Sequence, residues 1–352
     1  MIVSKIPIQN IYYLLCYSWN KLEEKNIVQV TDIDSTNILD LFAKVLIQGV
    51  KHLFKRGLDR GYISNEDQTK CLRGKICFGP TYKKNLMAKA QVHCEFDEFS
   101  HNVLHNKILK STIGLLINYD GLNKDLKNEL LGLFRKMQQI DDIELRNSVF
   151  SRVQLHRNNA FYDFLLKICE IIYDNLLISE ETGKSKFRDF LRDEHKMATV
   201  FENFVRNFYR LEVPECKVKS EVISWDAIPL DESSKSYLPK MVTDISIEFE
   251  DFKVVIEAKY YKQMLLEHYG KEKYRSVHFY QLFSYLKNLE GKGGLNKNCS
   301  GILLYPTVSS DLKGEGMMLN GHKVMVKTIN LNQDWKLIHN DLIGLLNVAT
   351  HP

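Results

Sequence analysis

Residues 243–262 read TDISIEFEDFKVVIEAKYYK. Polar and apolar residues alternate after Asp244, the acidic turn EFED interrupts them, and VVIEAK resumes as a second strand, so the period of two predicts a hairpin. Glu257 and Lys259 lie two positions apart, hence on one face of that strand, while the small Ala258 between them faces the core. Asp244 enters the partner strand, so the hairpin brings two carboxylates and an ammonium together. Phosphodiester hydrolysis needs hard oxygen ligands for Mg²⁺, a route to hydroxide, and positive charge against the developing phosphorane. Asp244 and Glu257 are the candidate metal ligands. Lys259 either deprotonates or orients the attacking water, or stabilises the transition state as a cation, and its position alone leaves both roles open. An aspartate followed by E-x-K is common by chance, so an exposed hairpin with a cross-strand salt bridge competes with the nuclease reading.

The flanking residues extend the pattern in both directions. Upstream, the helix expected over 197–209 carries Val200, Phe201, Phe204, Val205 and Phe208 on its buried side. Glu202 lies on a different face, as a third carboxylate for the site or as a solvated surface residue. Strand-like segments at 218–225, 241–249 and 252–258 precede a helix built on Phe279, Leu282, Phe283, Leu286 and Leu289. On that helix Gln281 and Tyr285 are four apart and share a face, with Gln281 suited to contact nucleic-acid backbone or to orient the site. His268 and His278 are poor Mg²⁺ ligands and are set aside. The strand GILLYP at 301–306, a strand near 324–330 and a helix from Asp334 complete the chain. This order predicts an α/β fold, a mixed sheet flanked by helices.

The amino-terminal half differs. Helical spacing at 11–25 places Leu14, Leu15, Trp19 and Leu22 on one side, and a second helix is expected over 37–54. Between 62 and 96 the period changes to short segments separated by turn signals, which predicts a small antiparallel sheet or barrel. Helices follow around 102–119, 122–137 and 159–177, and the polar run SEETGKSKFRD at 179–189 is the expected boundary. Two domains, 1–180 and 190–352, suit a chain of 352 residues. The net charge of +4 says little about partners. Its distribution says more, because 70–89 holds six basic residues and no acidic one. Arg73, Lys75, Lys83 and Lys84 in that stretch are candidates for contact with a partner or with DNA phosphates, against a plain solvated surface. Seven widely spaced cysteines predict reduced thiols and a cytoplasmic protein, and Cys71, Cys77, Cys94 and His93 lack the close cysteine pair of a structural zinc site. No apolar run approaches the ~20 residues that cross a bilayer.

Asp244, then E-x-K at 257–259, with a helix before and Q-x-x-x-Y at 281–285 after, resembles the PD-(D/E)xK nuclease superfamily in its restriction and RecB-like branch, with Thr243 where that pattern has proline. The resemblance extends along nearly the whole chain to the McrC family of nuclease subunits of McrBC modification-dependent restriction systems. It is carried by IPIQNIYYLLCYSW (6–19), LRGKICF (72–78), CEFDEFSHNVLHNKILKSTI (94–113), YYK (260–262) and YQLFSYL (280–286). The resemblance implies a restriction-endonuclease-like carboxy-terminal domain in which Asp244, Glu257 and Lys259 are the catalytic aspartate, acid and lysine, working with Mg²⁺, and Glu202 a less regular addition. It also implies a hexameric McrB-like AAA+ GTPase partner that recognises methylated cytosine in double-stranded DNA, a stimulation of that GTPase, and residues 1–180 as the docking module. The chain has no GxxxxGK[ST] loop, so GTP use is expected of the partner. A noncatalytic adaptor of a nucleotide-driven ring and a stand-alone DNA repair nuclease are the alternatives.

Overall fold

Asn37 starts the longest amino-terminal helix because its side-chain oxygen accepts the orphan Leu39 N–H at 3.0 Å. Asp40 in the first turn, Lys55 and Arg56 in the last, and Gly57 at φ 90° complete a capped helix, Ile38–Arg56. In the computed structural model, the described residues are 6–21, 37–156, 160–178, 185–187, 193–228, 230–231, 234–260, 265–268, 271–308 and 316–350. The principal helices are α1 (Ile8–Ser18), α2 (Ile38–Arg56), α3 (Leu104–Asn118), α4 (Lys124–Lys136), α5 (Ala160–Asn175), α6 (Glu194–Glu212), α7 (Ser276–Glu290) and α8 (Trp335–Thr350). The principal strands are β1 (Gly61–Thr69), β2 (Lys75–Ile76), β3 (Val92–Ser100), β4 (Lys217–Lys219), β5 (Ile245–Glu248), β6 (Lys253–Ala258), β7 (Ser300–Thr307), β8 (Met317–Leu319) and β9 (His322–Asn330).

Contacts divide the chain into two units, Met1–Thr36 with Asp189–Pro352, and Asn37–Arg188. This division differs from the expected 1–180 and 190–352 in the placement of the first helix. The apolar face of α1 was legible, but its partner is α6, far away in sequence. Tyr17 packs its ring 5.7 Å from Phe204 and 5.5 Å from Phe208 and donates its hydroxyl to Glu212 Oε1 at 2.5 Å. Asn207 donates to the Tyr17 carbonyl, and Asn10 donates to the carbonyls of Leu331 and Gln333, at 2.8–2.9 Å. The expected linker at 179–189 and Leu22 lie largely or wholly outside the described residues.

In this first unit six strands form one mixed sheet in the order β8-β9-β7-β6-β5-β4. Strands β9, β7 and β6 are parallel, and antiparallel neighbours extend the sheet at both sides. Every residue of β6 and β7 is buried, as expected of strands covered on both faces. Helix α7 lays Leu282, Leu286 and Leu289 over Leu303 and Val326. Gly301 permits that closeness, since a Cβ there would meet Leu286 and Leu282 at 2.9–3.1 Å.

In the second unit, Asn37–Arg188, α2, α3, α4 and α5 pack together beside a three-stranded sheet ordered β1-β3-β2. Nine antiparallel pairs join β1 to β3, but β2 contributes only Lys75 and Ile76. The expected barrel is therefore corrected to an open sheet. Among the described residues of this segment, one long hairpin and a two-residue strand leave no strand to pair β1 with β2 and close the ring.

Candidate active site

The expected strand over 241–249 is broken. Met241–Val242 pairs with Val222–Ile223 in a separate ladder, β5 begins at Ile245, and Asp244 falls in the gap. The break is held by Thr243, which is fully buried. Its N–H donates to the Glu221 carbonyl at 3.0 Å, its hydroxyl accepts from Glu221 N at 3.0 Å, and its carbonyl accepts from Ser220 Oγ at 2.7 Å. A proline there would have no N–H for the first of these bonds. From the gap, Asp244 Oδ2 accepts the Ala258 N–H at 2.9 Å, which ties the aspartate to the end of β6.

Glu257 is the penultimate residue of β6 and is completely buried. Lys259 follows the strand end, its N–H donating to the Leu304 carbonyl of β7 at 2.8 Å, and its ammonium donates to Glu257 Oε1 at 2.5 Å. The other oxygen, Glu257 Oε2, has no hydrogen-bond partner among the described residues, an expensive arrangement for a buried carboxylate. Burial raises the Asp244 pKa above the usual carboxylate range, and the nearby Glu257 charge raises it further. Glu257 is raised by burial against the opposing pull of Lys259, and Glu202 by burial and by Asp244. Three acids thus sit in one neighbourhood, each resisting ionisation.

Glu202 is half-buried on α6 and paired with Arg206 one turn later. Arg206 was not anticipated from the sequence. It also donates Nε to the Asp244 carbonyl at 2.9 Å. The detectable signal was Glu202 and Arg206 at i, i+4, a spacing shared by many solvated helix pairs. On α7, Gln281 Nε2 donates to the Tyr285 hydroxyl at 2.9 Å. Burial raises the Tyr285 pKa, and the charges of Glu257 and Asp244 add to it, which places this pair within electrostatic reach of the acids. His278 is buried and bonded through Nδ1 to the Tyr305 hydroxyl at 2.7 Å. Its pKa is lowered to about 4 by burial, then by Lys259 and Arg275, which keeps the imidazole neutral. The His268 side chain lies outside the described residues.

The donor set suits a hard, oxygen-loving cation. Mg²⁺ takes one or two carboxylates and otherwise keeps water or substrate oxygens, and the partnerless Glu257 Oε2 beside Asp244 matches that demand. Among the described residues no group of three or more His, Cys, Asp and Glu side chains has metal-cage geometry, and Cys71, Cys77 and Cys94 are free thiols.

The other predicted residues, Arg73, Lys75, Lys83 and Lys84, lie in the second unit and are exposed. Arg73 rests over the Phe96 ring at 5.6 Å, and Lys75 pairs with Glu95 in the ladder. In the same unit Tyr62, Leu72, Phe78 and Tyr82 are 60–78% exposed, an apolar component that the charge count did not reveal. Among the described residues no helix is long and apolar enough to cross a membrane.

Comparison with known proteins agrees along most of the chain. A family model described as McrBC 5-methylcytosine restriction system component matches residues 3–306. The type IV methyl-directed restriction enzyme EcoKMcrBC of Escherichia coli K12 is 32% identical over 342 residues, covering 97% of each chain. A chain of the solved half-complex from a tetradecameric assembly of Thermococcus gammatolerans McrB AAA+ hexamers with bound McrC shares the fold. Its TM-score is 0.60 at 16% identity, over 97% of this chain and 76% of that one.

Proposed function

Because the chain belongs to the family of McrBC 5-methylcytosine restriction system components, we propose that it is the Mg²⁺-dependent endonuclease subunit of such a system. The observation that carries this is the Asp244–Glu257–Lys259 cluster, with a buried carboxylate oxygen left without a partner. Asp244 and Glu257 would hold the ion, whose contribution is to polarise the scissile phosphate and lower the pKa of water. The residues of the chain do the rest. Ala258 N–H fixes the Asp244 carboxylate, and β6 holds Glu257 rigidly opposite it. Lys259 carries its ammonium to the same point, to orient or deprotonate the attacking water or to offset charge on the phosphate oxygens. Gln281, bonded to Tyr285, would contact the DNA backbone or orient the site.

Substrate and partner follow from the relatives: one is a methyl-directed restriction enzyme, and the other is a complex of McrB AAA+ hexamers with bound McrC. The chain would cleave double-stranded DNA containing methylated cytosine together with a McrB-like AAA+ GTPase, and would stimulate that GTPase. GTP binding falls to the partner, because the sequence has no phosphate-binding loop. The exposed basic and aromatic sheet around Arg73, Lys75, Lys83 and Lys84 is the proposed docking face. The test is cleavage of methylated and unmethylated DNA with the cognate GTPase, leaving out GTP, Mg²⁺ or the partner in turn. Breakage is expected only with the methylated substrate and the full set. Equal cleavage of both substrates, or none with the complete mixture, overturns the proposal.

A further inference from the structure

Arg206 makes three bonds from one guanidinium. Nε donates to the Asp244 carbonyl at 2.9 Å, Nη1 to Asn203 Oδ1 at 3.1 Å, and Nη2 to Glu202 Oε1. The side chain is only 17% exposed, although it lies on the polar side of α6. Two of the three bonds stay within one turn of the helix, and the third crosses 38 positions to the strand break. The carbonyl at that break belongs to the residue whose carboxylate is tied to Ala258 N–H. The residue is therefore held from both ends, at its backbone by Arg206 and at its side chain by β6. A planar fork is needed, since a lysine ammonium cannot span the carbonyl and the carboxylate with the same preorganised geometry.

We infer that Arg206 is a positioning residue for the metal: by holding the Asp244 backbone at the strand break it keeps the Asp244 carboxylate in place beside Glu257, and thereby sets the cation affinity of the site. The inference rests on the reading of Asp244 and Glu257 as metal ligands. Without the guanidinium, the Asp244 carbonyl loses a half-buried donor and is free to turn, and Glu202 loses the cation that holds it against a neighbouring acid. Groups that orient metal ligands from behind typically change metal affinity 10- to 100-fold when removed.

The experiment uses the full chain, alone and with its cognate GTPase. Mn²⁺ binding is titrated calorimetrically on the chain, and DNA cleavage is followed across a Mg²⁺ series with the complex. In Arg206→Met, which keeps the aliphatic stem and removes the donors, Mn²⁺ affinity and the Mg²⁺ half-saturation point should both weaken by about 10- to 100-fold. Cleavage at saturating Mg²⁺ should return to within a few-fold of the unaltered chain, and GTPase stimulation should not change. Arg206→Lys should recover part of the affinity. An Arg206→Met chain that melts normally and binds Mn²⁺ like the unaltered protein overturns the inference while leaving the nuclease reading intact. If the unaltered chain itself binds no Mn²⁺ and cuts no DNA, it is the nuclease reading that fails.

Discussion

The acid cluster on β6 and the exposed sheet built on β1 and β3 treat their polar and apolar groups in opposite ways. Glu257 is fully buried, with one oxygen bonded to Lys259 from the strand end and Asp244 tied in from the strand gap through Ala258 N–H. Tyr62, Leu72, Phe78 and Tyr82 are more than half exposed, and the basic residues beside them face solvent. A buried charged site must be organised by the chain itself, because misplacement of any member leaves an uncompensated charge. An exposed apolar face costs little until it meets something complementary. Under the proposed function, chemistry and recognition fall on surfaces with different tolerance for change, and the difference can be tested from the severe end downward.

The largest effect is expected at the acid and lysine cluster. Asp244→Ala and, separately, Lys259→Ala should each reduce DNA cleavage by at least about 10²–10³-fold, the scale of losing a preorganised electrostatic group, with GTPase stimulation unchanged. Turnover of methylated DNA and of GTP by the same preparations checks this, and parallel loss of both activities would erase the contrast between the regions. Next comes the apolar face. Replacing Phe78 and Tyr82 together with alanine should weaken binding to the GTPase by ~30-fold or more, as loss of an aromatic anchor does. Equilibrium binding is the measurement, and cleavage should recover when the partner is raised to saturation. Thr243→Val removes the hydroxyl that braces the strand gap and should lower unfolding stability by about 1–3 kcal/mol, the usual result of leaving a buried group unsatisfied. Denaturant titration reads it. The smallest effect belongs to Lys83→Ala with Lys84→Ala. Exposed charges of this kind should change partner affinity by less than about fivefold, and any change should shrink as salt rises.

Much of this arrangement can be read from local pattern, and the exceptions are instructive. The helix at Ile38–Arg56 announces itself by its spacing, its Asn37 cap and Gly57. Asp244, Glu257 and Lys259 stand out because a period of two puts them on neighbouring positions of a hairpin, and the ladder from Ile245 to Lys253 has that register. The gap at Thr243–Asp244 was not legible, because TDISIEF alternates as a continuous strand does. The remote bonds from Ser220 and Glu221 to Thr243 hold the gap open. Arg206 was hidden for a related reason: an arginine on the polar side of a helix looks solvated until the carbonyl it reaches, 38 positions away, is known. Closure of the small sheet was equally beyond local reading, since it depends on whether a third strand is long enough to pair twice.

Asn10 and Asn207, which fasten α1 to the segment before α8 and to α6, also impose an order of events on synthesis. The first helix is made well before α6 and the segment ahead of α8, which receive it. An entire second unit, Asn37–Arg188, is translated and can mature in between. The unit that carries the acid cluster therefore closes only after the intervening unit has been translated, and a fragment beginning at residue 190 would lack one of that unit's own structural members.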